Sequence, residues 1–419
     1  MQKMSVLNRS TLLFPLALVL FEFSVYIAND MIQPGMVMVV REFGVDSAWI
    51  PTAMTAFLLG GALFPWLMGP LSDRVGRRPV MLGGALFFVL SCLATLVSTG
   101  IESFTVLRVL QGVGLCFISA VGYTTVQEAF EEKAAVKVMA LMANVALIAP
   151  LVGPVVGAAL IAVWPWRMTF ALIAAVAAVA LFGLLRKMPE TLEHKTTELS
   201  LRSLKADYLA LLKNRRFMSA SLTIPLLALP LLGWIALSPV FLIEQAGMSP
   251  VEYGLWQFPV FGALITGNLV LVRITDRLPL GLTVLIGLVP LLSGMALMFA
   301  GCLFSSVPHY FIIAGISLMA LAEGLSFAVL YRFALTSSGV SKGATAAAIG
   351  MVGMVVYVLG IEGFSRLHQH FGDAGFAAMA LSVSLCYAWL ARRVVARAMA
   401  DRAEQGEAAL EPQLAGQDA

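Results

Sequence analysis

The sequence is poor in charge, and that shortage decides its class. Only 12% of the 419 residues are Asp, Glu, Lys or Arg, against roughly 25% in an ordinary soluble domain. Hydrophobic residues make up 60%, and the mean hydropathy is +0.90. A chain of this kind cannot cover a water-soluble globule and reads as a polytopic membrane protein.

Cysteine is scarce too. Cys92, Cys116, Cys302 and Cys386 all fall inside apolar runs, which excludes a disulfide framework in outer loops and any zinc-type spacing. His368 and His370 flank Gln369 without a supporting acid or thiol, so no metal site is expected. No nucleophile–base spacing or phosphate-cradling glycine loop occurs within a span, which leaves an enzyme without support, and no cofactor is expected. The net charge of +3 is explained by basic loops near anionic lipid, not by nucleic-acid binding.

Long apolar runs are what the chain has in abundance. Twelve stretches approach or exceed the ~20 residues that cross a hydrocarbon core: 12–40, 49–69, 79–98, 103–125, 138–162, 167–186, 217–243, 251–272, 280–301, 309–331, 343–364 and 374–392. The expected fold is all-α. With the N-terminus cytoplasmic, only Arg41, Arg167 and Arg366 of the 27 Lys and Arg fall outside, and Arg108 lies within a span. The positive-inside rule therefore places both termini in the cytoplasm. The first run is too long for a secretory signal and lacks a small-residue cleavage site, so it is expected to be retained.

The polar stretch 187–216 divides the spans six and six, giving halves 1–186 and 217–400 and a tail, 401–419, expected to be disordered. Within the linker, Leu199, Leu201, Leu204, Tyr208, Leu211 and Leu212 alternate with basic residues, a pattern for an amphipathic surface helix. The loop Gly69-Pro-Leu-Ser-Asp73-Arg74-Val-Gly76-Arg77-Arg78 is echoed after span eight by Arg273-Ile-Thr-Asp276-Arg277. Parallel six-helix repeats around a midplane site are a common transporter plan.

Two acids stand inside the first span. Glu22 and Asp30 are the only charges between Thr11 and Val40, and a charge at the bilayer centre costs about 2.5 to 3.5 kcal/mol even on insertion scales. Such residues line polar paths for ions, protons or substrates. Eight residues on a helix give roughly 12 Å of rise and about 80° of rotation, so the pair share one face at different depths, with Tyr26 midway. A poorly hydrated cavity favours the neutral form of a carboxyl, so a proton and a cationic compound would compete for it.

The loop Gly69, Asp73, Arg74, Gly76, Arg77 and Arg78 resembles the signature loop of the major facilitator superfamily. Asp73 is expected to sit at the N-terminus of the next helix and pair with an arginine of its own loop. Leu107-Arg108-Val-Leu-Gln111-Gly112 is similar to the superfamily's intramembrane arginine motif. Arg108 lies at about the depth of Asp30, so an ion pair or a water-bridged network between them is expected; the alternative is an arginine snorkelling to the outer interface. Pro150, Gly153, Pro154 and Gly157 in span five resemble the glycine–proline motif of antiporters in this superfamily, where small residues permit close packing and proline bends the helix.

Glu22-Phe-Ser-Val-Tyr26-Ile-Ala-Asn29-Asp30, Gln127-Glu128-Ala-Phe-Glu131, Leu141-Met142-Ala-Asn144 and Glu252-Tyr253-Gly254 resemble MdfA-type drug/proton antiporters over most of the chain. The resemblance implies a monomeric inner-membrane efflux antiporter for lipophilic cationic and neutral compounds, alternating access by rocking of its halves. It implies proton coupling by Asp30, Glu22 and Arg108, and a drug cavity lined by Glu22, Tyr26, Asn29, Asp30, Leu115, Tyr123, Met142, Ala146, Trp234, Tyr253 and Gln257. The residues alone leave Met142, Trp234, Tyr253 and Trp256 open to ordinary packing, and leave open an importer or a monovalent cation/proton exchanger.

Three further acids are singled out. Glu323, mid-span ten, stands where the resemblance leads to a small or apolar residue and is a possible extra titratable group. Glu362 is expected to be structural. Glu128 reads either as an exposed loop acid or as a partner of cytoplasmic basic residues.

Overall fold

Helix boundaries follow the apolar runs, and the breaks follow proline and glycine. The computed structural model describes residues 12–192, 201–275, 277–279, 281–340 and 342–415. Its helices are α1 Leu13–Asp30, α2 Met36–Phe43, α3 Thr52–Leu63, α4 Pro65–Val75, α5 Arg77–Thr95, α6 Ile101–Gly112, α7 Gly114–Phe117, α8 Tyr123–Ala129, α9 Glu132–Ile161 and α10 Arg167–Lys187. There follow α11 Leu201–Lys213, α12 Arg215–Pro239, α13 Pro250–Leu255, α14 Gln257–Ile274, α15 Leu282–Phe304, α16 Pro308–Leu335 and α17 Lys342–Ala415. No strand occurs among the described residues.

Every predicted span falls on helix. Nine stretches among the described residues are long and apolar enough to cross a membrane, or ten if the α3–α4 pair, bent by 45°, is one span. The eleventh and twelfth predicted spans share α17, which is broken at Gly372 (φ 60°, ψ −152°), a conformation that side chains rarely adopt. The fifth lies within α9, which contains Pro150 and Pro154. Pro34 lies in the turn joining α1 to α2, and Pro65 begins α4 at the bend, consistent with proline's tolerance at a first helical turn.

The linker helix is present as α11, with Leu211 buried and Leu209 and Leu212 exposed. Leu199 and Asp276 lie outside the described residues, as do the side chains of Leu201 and Leu204. The helical backbone continues to Ala415, into the tail expected to be disordered; nothing in that segment breaks helix before Pro412.

The chain packs as two compact units. One comprises Met1–Leu204, Leu232–Phe258 and Met354–His370; the other comprises Lys205–Leu231, Pro259–Gly353 and Phe371–Ala419. These units differ from the halves 1–186 and 217–400. The reason is visible at two glycines of the first unit: a Cβ on Gly254 would lie 3.2 Å from Val155 Cα, and one on Gly233 would lie 2.8 Å from the Phe364 ring.

Close backbone approach holds each unit together. In the first, Gly112 of α6 faces α3 so tightly that an added Cβ would lie 1.8 Å from the Phe57 carbonyl oxygen, and Gly60 makes the reciprocal approach to Val109. In the second, α15 and α16 meet through Gly294 and Gly315, each 2.6 to 2.7 Å from the other's carbonyl oxygen by the same measure. Lipid offers no hydrophobic drive between helices, so such small-residue contacts carry much of the association.

Gly112→Ala is therefore expected to cost about 1 to 3 kcal/mol through overpacking, and to lower the thermal midpoint of the purified protein. Gly83→Ala, where an added Cβ meets nothing within 4 Å, is expected to leave that midpoint unchanged or raised.

Candidate functional site

The two buried acids of the first unit, among the described residues, both stand on α1. Glu22 is fully buried; its Oε1 accepts a hydrogen bond of 3.2 Å from the Tyr123 hydroxyl, while Oε2 has no partner. Tyr123 follows a wide π turn at Ile118–Gly122, an irregularity that re-aims the side chains after it. Asp30 is 4% exposed, and its Oδ1 accepts from Asn29 Nδ2 at 3.0 Å. Tyr26, half-buried, lies one turn from each acid.

Arg108 is completely buried, which excludes the snorkelling alternative. It donates to Ala28 O at 3.0 Å, Ala53 O at 3.3 Å, Gln111 Oε1 at 2.7 Å and Asn29 Oδ1 at 3.4 Å. Its guanidinium carbon also lies 4.8 Å from the centre of the Phe57 ring, a cation–π contact. Gln111 in turn donates to Thr95 Oγ1 at 2.8 Å. Among the described residues Arg108 and Asp30 do not form the ion pair that was one of the two expected arrangements, the other being a water-bridged network. Asn29 stands between them, accepting from Arg108 and donating to Asp30, because its amide carries both functions.

The span-five motif packs on the end of α1. A Cβ on Gly153 would lie 2.7 Å from Asp30 Cβ, and one on Gly157 would lie 1.9 Å from Met31 O. Pro154 contributes its carbonyl to the contact with Gly254. The glycines thus bring α9 onto the backbone that carries Asp30.

The other residues that the resemblance places around a drug are mostly buried and partly hydrogen-bonded to one another. Met142 is fully buried, with Cε 3.8 Å from where a Gly122 Cβ would lie. Trp234 Nε1 donates to Gln257 Oε1 at 3.0 Å, the Tyr253 and Ser238 hydroxyls lie 3.1 Å apart, and Gln257 Nε2 donates to Tyr253 O at 3.4 Å. Leu115 is half-buried against Gly61. The side chains of Asn144 and Ala146 lie outside those described. An open cavity of about 370 Å³ lies elsewhere, in the second unit, where Arg216, Arg332 and Arg397 line it; Glu323 also belongs to that unit.

The signature loop builds a clamp at the end of α4. Arg77 pairs with Asp73 at 2.5 Å and with Glu128 at 3.0 Å, and also donates to Ser72 Oγ. The expected Asp73–Arg pairing is present. The acid at the start of α5, however, is Glu190: its oxygens accept from the backbone N–H of Arg77 at 3.0 Å and of Arg78 at 3.2 Å, the position where a helix binds anions. Gly76 (φ 125°) leaves room for that carboxylate, since an added Cβ would lie 2.5 Å from Glu190 Oε2. Glu128 is an anchor of the clamp rather than a loop acid, and it also accepts from Thr191 at 2.6 Å. Gly69 has open space around it and Arg74 is exposed. At the end of α2, Glu42 pairs with Arg167 and accepts from Trp166 Nε1 at 2.6 Å.

Residues 18–364 match the family model described as Major Facilitator Superfamily. The chain belongs to the major facilitator superfamily. Proteins called multidrug transporter MdfA are similar over most of their length. That of Edwardsiella ictaluri is 52% identical over 356 residues, 85% of this chain and 87% of the relative; that of Yersinia pestis (strain Angola) is 51% identical over 368 residues, 88% and 90%. The fold is similar to that of a bacterial homologue of the lysosomal transporter Spinster, with TM-score 0.73, 14% identity and coverage of 94% and 99%. It is similar also to a D-xylose–proton symporter, with TM-score 0.71, 15% identity and coverage of 90% and 96%. The superfamily membership makes this chain a membrane transporter.

Glu190 and Gln111 were not among the residues singled out for the site. Gln111 was signalled by its place one turn after Arg108; Glu190, 113 residues from Arg77, carried no local signal. His368 meets Gln245 at 3.2 Å and Glu362 meets Arg366 at 3.5 Å, both outer structural contacts, and no metal-binding group of side chains occurs among the described residues.

Arg108→Lys keeps the charge but loses the fork that reaches four oxygens. It is expected to destabilise the protein by about 1 to 3 kcal/mol and to abolish most transport. Thermal denaturation in detergent and transport in vesicles of the same variant check the two effects.

Proposed function

We propose that this chain is a proton-driven multidrug efflux antiporter of the bacterial inner membrane, monomeric, with both termini cytoplasmic. Two six-helix halves are taken to rock about a midplane cavity. The observation that carries the reading is the pair of buried acids on α1, one tied through Asn29 to Arg108 and the other leaving an oxygen unpartnered. The similarity to multidrug transporters at 51 to 52% identity supports it.

The chemistry follows from competition. Asp30 serves as the shared acid: protonated, it is neutral in its dry setting; ionised, it attracts a cationic drug. Arg108 offers the carboxylate a positive field through Asn29, so charge lost with the proton is compensated without a direct pair that would hold the anion permanently. Glu22, about two turns toward the cytoplasm, recognises the cationic end of a drug and acts as accessory proton acid. Tyr26, Tyr123, Tyr253, Trp234 and Met142 supply apolar surface, with the polar tips of Tyr123, Trp234 and Tyr253 engaged by Glu22, Gln257 and Ser238, which suits ligands of diverse shape. Neutral drugs bind through these walls and a hydrogen bond to the acid.

Inward proton movement drives outward drug movement. The membrane potential adds about 2.3 kcal/mol per charge per 100 mV, so the charge of the drug sets how much of it the cycle uses. The clamp of Asp73, Arg77, Glu128 and Glu190 fastens the cytoplasmic ends of the first unit.

In everted vesicles, addition of a lipophilic cation is expected to dissipate an imposed pH gradient with wild-type protein and not with Asp30→Asn. Glu22→Gln is expected to weaken the cation response at least tenfold while sparing neutral drugs. Cation affinity should rise with pH, by at most tenfold per unit, as the competing proton leaves. A gradient response that survived loss of both acids would refute the assignment, and solute-driven alkalinisation in the import direction would favour an importer.

A further inference from the structure

The second unit holds an acid that this exchange does not use. Glu323 of α16 is 9% exposed, and its Oε2 has no hydrogen-bond partner. Two glycine contacts fix the rotation of α16 around it. A Cβ on Gly324 would lie 2.4 Å from Leu264 O and 2.7 Å from Asn268 N, so α14 crosses backbone to backbone on one side. A Cβ on Gly287 of α15 would lie 2.8 Å from Ser326 Oγ on another. Successive residues differ by about 100°, so Glu323 is held between these two crossings and cannot be turned toward lipid by rolling the helix.

Other buried oxygens gather there. Ser326, one turn from Glu323, is 1% exposed and its Oγ is unpartnered. Tyr387, on the helix after Gly372, is equally buried; its hydroxyl approaches Glu323 and Ser326 without a hydrogen bond of ordinary geometry. Ser384, one turn before Tyr387, repeats the pattern. The groups that meet α16 on either side of Glu323 are Leu264, Gly267 and Asn268 from α14, at Gly324, and Gly287 from α15, at Ser326 and Ala322; Tyr387 of the terminal helix neighbours Ser326 and feels the charge of Glu323. Tyr387 is the one titratable group among them. No Lys, Arg or His pairs with Glu323 among the described residues, in contrast to Asp30.

We infer that Glu323, with Ser326 and Tyr387, forms a second proton-binding site, built into the second unit and separate from the acids of α1. One carboxyl and two or three hydroxyls fall short of the six to eight oxygens that Ca²⁺ takes, or of the octahedral set of Mg²⁺, whereas a proton needs one oxygen. An unpaired carboxylate in a dry interior is costly, so the closed site holds the neutral acid. When water enters, the carboxyl O–H bond breaks and the proton passes to that water. The carboxylate left behind accepts hydrogen bonds from the Ser326 and Tyr387 hydroxyls, which stand ready without other partners. This site rests on the proton-coupled reading above and adds a proton to it.

The test uses the purified full-length protein without drug. Protons taken up after a pH jump are counted, and the carbonyl stretch of neutral carboxyls is followed by infrared spectroscopy, for wild type, Glu323→Gln and Tyr387→Phe. Glu323→Gln is expected to lose one proton from the count and one component of the neutral-carboxyl band, and in proteoliposomes to move fewer protons per drug. Tyr387→Phe is expected to keep that proton but release it at a different pH. If both variants titrate as wild type, the site is refuted; should Glu323→Gln fail to fold, an unchanged Tyr387→Phe titration refutes it alone. A missing proton in drug-free protein supports the site even if drug exchange is absent, so its fate is distinguishable from that of the exchange itself.

Discussion

A guanidinium can stay in an apolar interior only if its N–H groups meet acceptors. Arg108 meets this need for four of its five N–H groups, with the backbone carbonyls of Ala28 and Ala53 and the side chains of Gln111 and Asn29. Those acceptors come from α1, α3 and α6, so the arginine fixes how three helices lie in the first unit. Leaving a buried charge unpaired costs several kcal/mol, more than most other contacts here contribute. The close Gly60–Gly112 crossing of α3 and α6 belongs to the same arrangement, because it brings the Ala53 carbonyl within reach of the guanidinium.

The two acids of α1 acquire different surroundings from that one constraint. Asp30 adjoins Asn29, whose carbonyl oxygen is engaged by Arg108, so its protonation is felt by the whole buried network. Glu22 accepts from Tyr123 at one oxygen, and its other oxygen has no hydrogen-bond partner among the described residues. Gly153 and Gly157 seat α9 on Asp30 and Met31, which ties the proline-containing helix to the acid. A movement of α9 would therefore change the space around Asp30 directly. The Arg77 clamp is built on the same rule, with partners from three helix ends, and there the charges are partly solvated and each pair contributes less.

The spans were legible in the sequence because a bilayer demands about 20 apolar residues at a stretch, and Pro34, Pro65 and Gly372 mark where helices break. The depth of Arg108 relative to Asp30 was legible from counting along two spans. Its partners were not, since they depend on the side-chain torsions of Asn29 and on which carbonyls α3 presents. Glu128 and Glu190 lie 51 and 113 residues from Arg77, and no local pattern announces such pairings. The packing units were also hidden: Gly233 and Gly254 look like ordinary span glycines until their opposite surfaces are known.

The central claim is that Asp30 exchanges its proton for a cationic drug. The most direct measurement is the carboxyl ¹³C resonance of Asp30 in purified protein, assigned by its absence in Asp30→Asn and recorded with and without a lipophilic cation. The account predicts a resonance of the protonated acid that moves to that of the carboxylate when the cation is added, with one proton released to the medium. A resonance unmoved by saturating drug, or already that of a carboxylate before drug is added, would contradict it.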